Sequence, residues 1–216
     1  MSAGLSSDLP PGAPMDPTGP QDLTGSQDPT GLMHPTSSSR PSPVLPIVAI
    51  LWRAPYPEDL EPALVPLFGE PILRSGAWPF DDTRYYEPEM GSGLSRSFLA
   101  FQERFPHEIG EWKRATGWLE QRWRGPSGRR VNLDPGYISL GGLFLASTKP
   151  GLHRICLPDG IHVEITLFYS LGAWQRLPWT FPDFRSDRYH GFLTSCRERL
   201  KEGLRADVRS TGDRPR

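Results

Sequence analysis

All 23 aromatic residues of this chain follow position 46, whereas ten of its 25 prolines lie within the first 46 residues. That partition decides where a core can form, because an ordered core must bury enough apolar surface to offset the entropy of ordering the chain. Residues 1–43 lack that surface. Their charges are Asp8, Asp16, Asp22, Asp28 and Arg40, and they carry a loose six-residue repeat at Asp16-Pro17-Thr18-Gly19, Asp22-Leu23-Thr24-Gly25 and Asp28-Pro29-Thr30-Gly31. Strings of Pro, Thr and Gly favour extended, solvated backbone. Residues 1–43 therefore read as a disordered tail, either without a role or docking to a partner. Residues 205–216 are polar and Arg-rich and read as a frayed end. Between them, 44–204 reads as a single α+β domain, of a length ordinary for one hydrophobic core.

Several function classes fall away at this point. The formal net charge is −1, which disfavours a broadly basic nucleic-acid binder. The longest apolar run, Ile47 to Trp52, is six residues, against the ~20 needed to span a bilayer. No amino-terminal stretch has the layout of a signal peptide. Cys156 and Cys196 cannot form a disulfide framework or a four-cysteine zinc site. A soluble, cytoplasmic protein without a membrane partner is expected.

Val44 to Trp52 is a β-branched, apolar run and predicts a buried strand. Leu60, Leu64 and Leu67 give 58–68 helical spacing, with Pro66 forcing an early end or a kink. Ile72 to Phe80 and Leu94 to Phe101 predict strands flanking a loop, Asp81 to Gly93. Ile109, Trp112, Thr116, Leu119 and Trp123 recur every three or four residues and predict an amphipathic helix over 107–123. Val131 to Leu133 predicts a further strand, Ser139 to Thr148 a short helix or strand, and 188–204 a last helix. Strand, helix, strand, strand, helix, strand is the order of a ferredoxin-like, split βαβ core, here with an added β-hairpin and a C-terminal helix.

The hairpin is the sharpest local reading. Pro158 and Asp159 suit the centres of a type I turn, and Gly160 suits the left-handed residue after it. A three-residue loop then pairs Leu157 with Ile161, Cys156 with His162, Ile155 with Val163, Arg154 with Glu164 and His153 with Ile165. This register places Ile155, Leu157, Ile161, Val163, Ile165, Leu167 and Tyr169 on one apolar face, with His153 beside Ile165. Arg154 and Glu164 share the other face.

Five ordered strings are distinctive: Trp78-Pro79-Phe80 with Tyr85-Tyr86-Glu87-Pro88-Glu89-Met90-Gly91; Asn132-Leu133-Asp134-Pro135-Gly136-Tyr137; Leu145-Ala146-Ser147-Thr148-Lys149; His153-Arg154-Ile155; and Leu177-Pro178-Trp179-Thr180-Phe181-Pro182-Asp183-Phe184-Arg185-Ser186. Together they make the chain resemble, over about residues 46–204, the family called domain of unknown function 4416. That family comprises short bacterial and archaeal proteins with Asp-Pro-Gly as a signature. The resemblance brings no activity, cofactor or partner with it.

The functional groups in these strings set the expectations for a site. Asp134-Pro135-Gly136-Tyr137 fits a type II turn, with Asp134 capping the turn or facing a ligand. Arg154 and Glu164 form a cross-strand ion pair or hold an arginine for a phosphate or carboxylate. His153 is a half-buried, hydrogen-bonded histidine or a base. Tyr85 and Tyr137 are candidate walls, and Lys149, Arg154, Asp183 and Arg185 candidate ligand contacts. Acid–base work would fall to Asp134, Glu164 or His153. The signatures of phosphate loops, dinucleotide folds and serine hydrolases do not occur, and the spacing of His153, His162, Glu87, Glu89 and Glu164 matches no metal motif, so no cofactor or metal is assigned. The expected function is binding of a small anionic, nucleotide- or phosphate-type ligand, with or without catalysis. The alternative is a non-catalytic protein- or RNA-binding module, in which the seven tryptophans supply stacking surface.

Overall fold

A computed structural model describes residues 41–126 and 128–212, and most of the expected N-terminal tail lies outside the described residues. The apolar run becomes strand β1 (Leu45–Arg53), buried over its first seven residues. Helix α1 (Leu60–Phe68) follows, and Pro66 does not end it early. The stretch expected as one strand over 72–80 splits into β2 (Leu73–Arg74) and β3 (Trp78–Pro79), both paired with β4 (Leu94–Ala100). The chain swings out between them, and Ser75 Oγ accepts the Phe98 N–H at 2.8 Å in place of a ladder carbonyl. A short helix, α2 (Glu87–Met90), precedes β4. Helix α3 (Ile109–Leu119) lies within its predicted span and leads to the small hairpin β5 (Arg124–Gly125) and β6 (Gly128–Arg129). Then come β7 (Val131–Ser139), β8 (Gly142–Ser147), β9 (Ile155–Cys156), β10 (His162–Ser170) and β11 (Ala173–Arg176). Helix α4 (His190–Gly212) closes the described chain and continues past Leu204, where the sequence pattern ends it.

The main sheet runs β11-β10-β8-β7-β1-β4-β2. Every strand pairing among the described residues is antiparallel. These pairings build a mixed α+β domain on an antiparallel sheet, with a C-terminal helix. Both faces of β1 are covered, as a continuous apolar run requires. Val48 and Ile50 pack with Leu60, Leu64 and Phe68 of α1 and with Ile109 and Trp112 of α3. Leu45, Ile47 and Ala49 pack with Leu193, Cys196 and Leu200 of α4.

The Asp134-Pro135-Gly136 string lies inside β7 and is not the expected type II turn. It marks where the sheet forks. Gly136 and Leu145 are the last β7–β8 pair in that direction. Beyond it, β7 pairs only with β1 and β8 only with β10. Two local causes act here. A Cβ on Gly136 would lie 2.0 Å from the Phe144 carbonyl oxygen, so the strands cross closer than any side chain permits. Pro135 has no N–H to extend the ladder. The open edge is satisfied from α3: Glu120 Oε1 accepts the Leu133 N–H at 2.8 Å, and Lys113 Nζ donates to the Leu133 carbonyl at 2.9 Å. Alternate residues of an antiparallel strand point their backbone groups to the same side, so Pro135 also faces the gap.

The 155–163 hairpin has its predicted register. Cys156 pairs with His162 and Ile155 with Val163, and the Leu157 N–H donates to Ile161 O at 2.7 Å. The turn itself differs from type I: Asp159 has φ +71° and Gly160 φ +72°. The single apolar face also fails. The register shifts between Ile165 and Leu167, so Leu167 joins the α4 side while Ile165 is 39% exposed. A bulge adds one residue to one strand, and every side chain after it changes face. Ile155, on the two-residue strand β9, is 72% exposed.

Candidate functional site

The fork opens into a cavity of about 490 Å³. Three parts of the fold meet there. The inward row of α3 contributes Lys113 and Gly117, and the 3-10 turn that follows it Glu120; the strands contribute Arg96, Asn132 and Asp134; the connections contribute Phe80, Tyr85, Lys149 and Asp183.

Strand register explains the floor. Arg96, Leu51 and Asn132 lie opposite one another across β4, β1 and β7, and Phe98, Ala49 and Asp134 form the adjacent row. The Arg96 guanidinium is buried between two acids, with Nη1 3.6 Å from Asp134 Oδ2 and Nε 3.4 Å from Asp183 Oδ2. Neither nitrogen has a hydrogen-bond partner. Phe80 stacks over the guanidinium, its ring centroid 5.0 Å away. Asp134 is more tightly held, accepting from Lys113 Nζ at 3.2 Å and from Asn132 Nδ2 at 2.7 Å.

The two aspartates are pushed in opposite directions. Burial raises the Asp134 carboxyl, but the charges of Lys113 and Arg96 and the hydrogen bonds from Lys113 and Asn132 outweigh it and hold it below the usual range. Burial wins at Asp183, whose carboxyl stays above that range despite Arg96. Burial also raises Glu120 against the pull of Lys113, the Leu133 N–H and Arg129. The neighbouring Asp134 charge, then burial, drive the Tyr86 phenol upward.

At the rim, Glu164 is 3% exposed. It accepts from Arg154 Nε at 2.7 Å and meets His153 Nε2 at 2.9 Å. Arg154 also donates through Nη1 to the Lys149 carbonyl at 2.7 Å. The Lys149 ammonium donates to the Tyr85 hydroxyl. Among the described residues it has no acidic partner, unlike the other lining cations.

Of the residues expected at a site, Tyr85, Asp134, Lys149, Arg154, Glu164 and Asp183 line this one cavity. His153 adjoins it through Glu164 and stacks on Trp179 at 5.3 Å, away from the apolar face expected for it. Tyr137 does not line this cavity. It lies an odd number of positions from Asp134, hence on the opposite sheet face, where it stacks on Phe144 at 4.8 Å beside the α1–α3 core. Arg185 does not line the cavity either: it donates to the carbonyls of Thr180 at 2.8 Å and Pro178 at 3.2 Å and braces its own segment. The sequence reading missed Arg96, Lys113, Glu120 and Arg129. Lys113 and Glu120 carried a signal, falling seven apart on the apolar stripe that defines α3. Arg96 carried a weaker one, an arginine at an inward position of an apolar strand. Among the described residues no group of three His, Cys, Asp or Glu side chains is placed to hold a metal ion.

Fold and cavity together define an α+β protein whose antiparallel sheet splits at a proline and glycine to enclose a charged pocket. A family model described as a domain of unknown function, DUF4416, matches residues 42–200, and the chain belongs to that family. No curated protein and no solved structure matches it.

Proposed function

We propose that the forked cavity binds a small organic anion. The observation that carries this reading is the charge inventory of its wall. Arg96, Lys113, Arg129, Lys149 and Arg154 face Glu120, Asp134, Glu164 and Asp183, and the surplus cation is Lys149, held only by a phenol. Burial raises the Asp183 and Glu120 carboxyls, so their negative charges are the least firmly held of the four. The volume falls within the ~300–1,000 Å³ of small-molecule sites.

The hydrogen bonding favours recognition over proton transfer at the expected acid–base residues. Asp134 is tied by Lys113 and Asn132, and Glu164 by Arg154 and His153. A cytoplasmic setting fits such a ligand and fits the two free thiols, Cys156 and Cys196; no helix among the described residues is long and apolar enough to cross a membrane. The rival module for protein or RNA would use Trp118, 80% exposed on α3, and would leave the charged cavity without an occupant.

The test is a thermal-shift screen of nucleotides, sugar phosphates and carboxylates against the wild type and Lys149→Met. A ligand of the native state raises the melting temperature. At least one anion class should do so, with the shift reduced in Lys149→Met. A shift produced only by uncharged or cationic compounds would overturn the reading.

A further inference from the structure

Resting on that reading, we infer that Arg96 receives a carboxylate group of the ligand and that Asp183 takes up a proton as this group binds. Arg96 is the least expected residue of the cavity: a guanidinium 3% exposed, lining the pocket, without a hydrogen bond at Nε or Nη1. A buried charge with unused donors is costly unless something supplies acceptors. The two aspartates supply charge at 3.4 and 3.6 Å but no hydrogen bond. Nε and Nη1 face the two aspartates, and Nη2 is the donor assigned here to the ligand. Phe80 covers the guanidinium face, so an acceptor approaches in the guanidinium plane, the direction that suits a planar carboxylate.

Charge balance chooses between anions. Arg96 and Lys113 are cationic and Asp134 and Asp183 anionic, so the floor is neutral before a ligand arrives. Nearby, Glu164 pairs with Arg154 and Arg129 is shared by Glu120 and Glu89, while Lys149 stands at the rim beside Tyr85. A monoanion leaves one excess negative charge, which a single proton removes. A phosphate dianion at Arg96 would leave the floor itself charged even then.

Asp183 is the acid placed to take that proton. Arg96, Asp134, Asp82, Tyr86 and Tyr189 surround it, and Arg96 is the one cation among them. Lys113 and Asn132 fix Asp134 as an anion, whereas Asp183 has only Arg96 at ion-pair distance and the Tyr189 hydroxyl at 3.5 Å. In the bound state the proton moves from solvent to the Asp183 carboxyl, and the ligand carboxylate accepts from Arg96. No covalent bond changes.

Calorimetric titration of the full chain with acetate and, separately, inorganic phosphate, at about pH 6 and about pH 8, tests this, both pH values lying above the ordinary carboxylate range. Acetate affinity should fall with rising pH, by up to tenfold per pH unit, the limit for one proton taken up. Asp183→Asn should keep acetate binding and lose its pH dependence. Arg96→Gln should lose acetate binding, and Asp183→Asn carries the test should that variant fail to fold. Acetate affinity independent of pH in the wild type, phosphate preferred over acetate, or binding of neither would overturn the assignment. Anion binding lost in Lys149→Met but intact in the Arg96 and Asp183 variants would leave the broader reading standing and overturn this one.

Discussion

Gly136 and Lys113 show how single residues hold the fork open. A methyl group at Gly136 would meet a backbone oxygen at 2.0 Å, and backbone in a paired strand cannot step aside as a side chain can. Gly136→Ala should therefore destabilise the protein by about 2–3 kcal/mol, the upper part of the range for overpacked sites, read from the midpoint of urea unfolding. Lys113 does a different task, serving the Leu133 carbonyl and the Asp134 carboxylate with one ammonium. Lys113→Met keeps most of the apolar volume and leaves both acceptors short of a donor, with an expected loss of about 3 kcal/mol. A loss below about 1 kcal/mol in the same measurement would mean that water replaces the ammonium.

The 155–163 hairpin was the most legible element, because Pro158-Asp159-Gly160 fixes loop length and loop length fixes register. Gly160 sits at φ +72°, and a Cβ placed there would have no neighbour within 4 Å, so backbone conformation alone opposes substitution. Gly160→Val should destabilise by more than about 1 kcal/mol, as a β-branched residue fits the left-handed region poorly, and thermal unfolding would show it. The face assignment beyond the hairpin was not legible. Ile165 and Leu167 alternate correctly in sequence, but the shift between them sends them to different faces, and bulges leave no periodic trace. Pro135 misled in a related way. A proline inside a strand reads as a turn or an edge, and half of that is true: β7 is paired on both sides after Gly136 and is an open edge before it. The six lining residues that were anticipated came from loops and strand ends rich in polar groups. The signals at Lys113, Glu120 and Arg96 were faint because charged side chains within regular elements ordinarily point to solvent.

At the scale of the whole molecule, the cavity makes stability depend on pH through groups pulling in opposite directions. Asp183 and Glu120 have carboxyls raised by burial. The stability tied to each is fully present below the unfolded-state value of about 4 and is lost as pH rises through the folded-state value. Asp134, held low by Lys113 and Arg96 against burial, acts in reverse: its contribution is present above about 4 and is lost as pH falls through the lowered value. His190, lowered by burial, also favours the folded state less as pH drops through the ordinary histidine range. The overall profile therefore mixes opposing slopes, and a variant isolates the cavity's share. Asp183→Asn removes the carboxyl and keeps its shape. The stability of the wild type minus that of this variant should rise steadily as pH is lowered from about 8 toward about 4, where Asp183 becomes protonated in both folded and unfolded chains. Urea unfolding of the two proteins across that range measures the difference directly. Parallel curves would assign the burial effect to another acid and leave Asp183 ionised in its place beside Arg96.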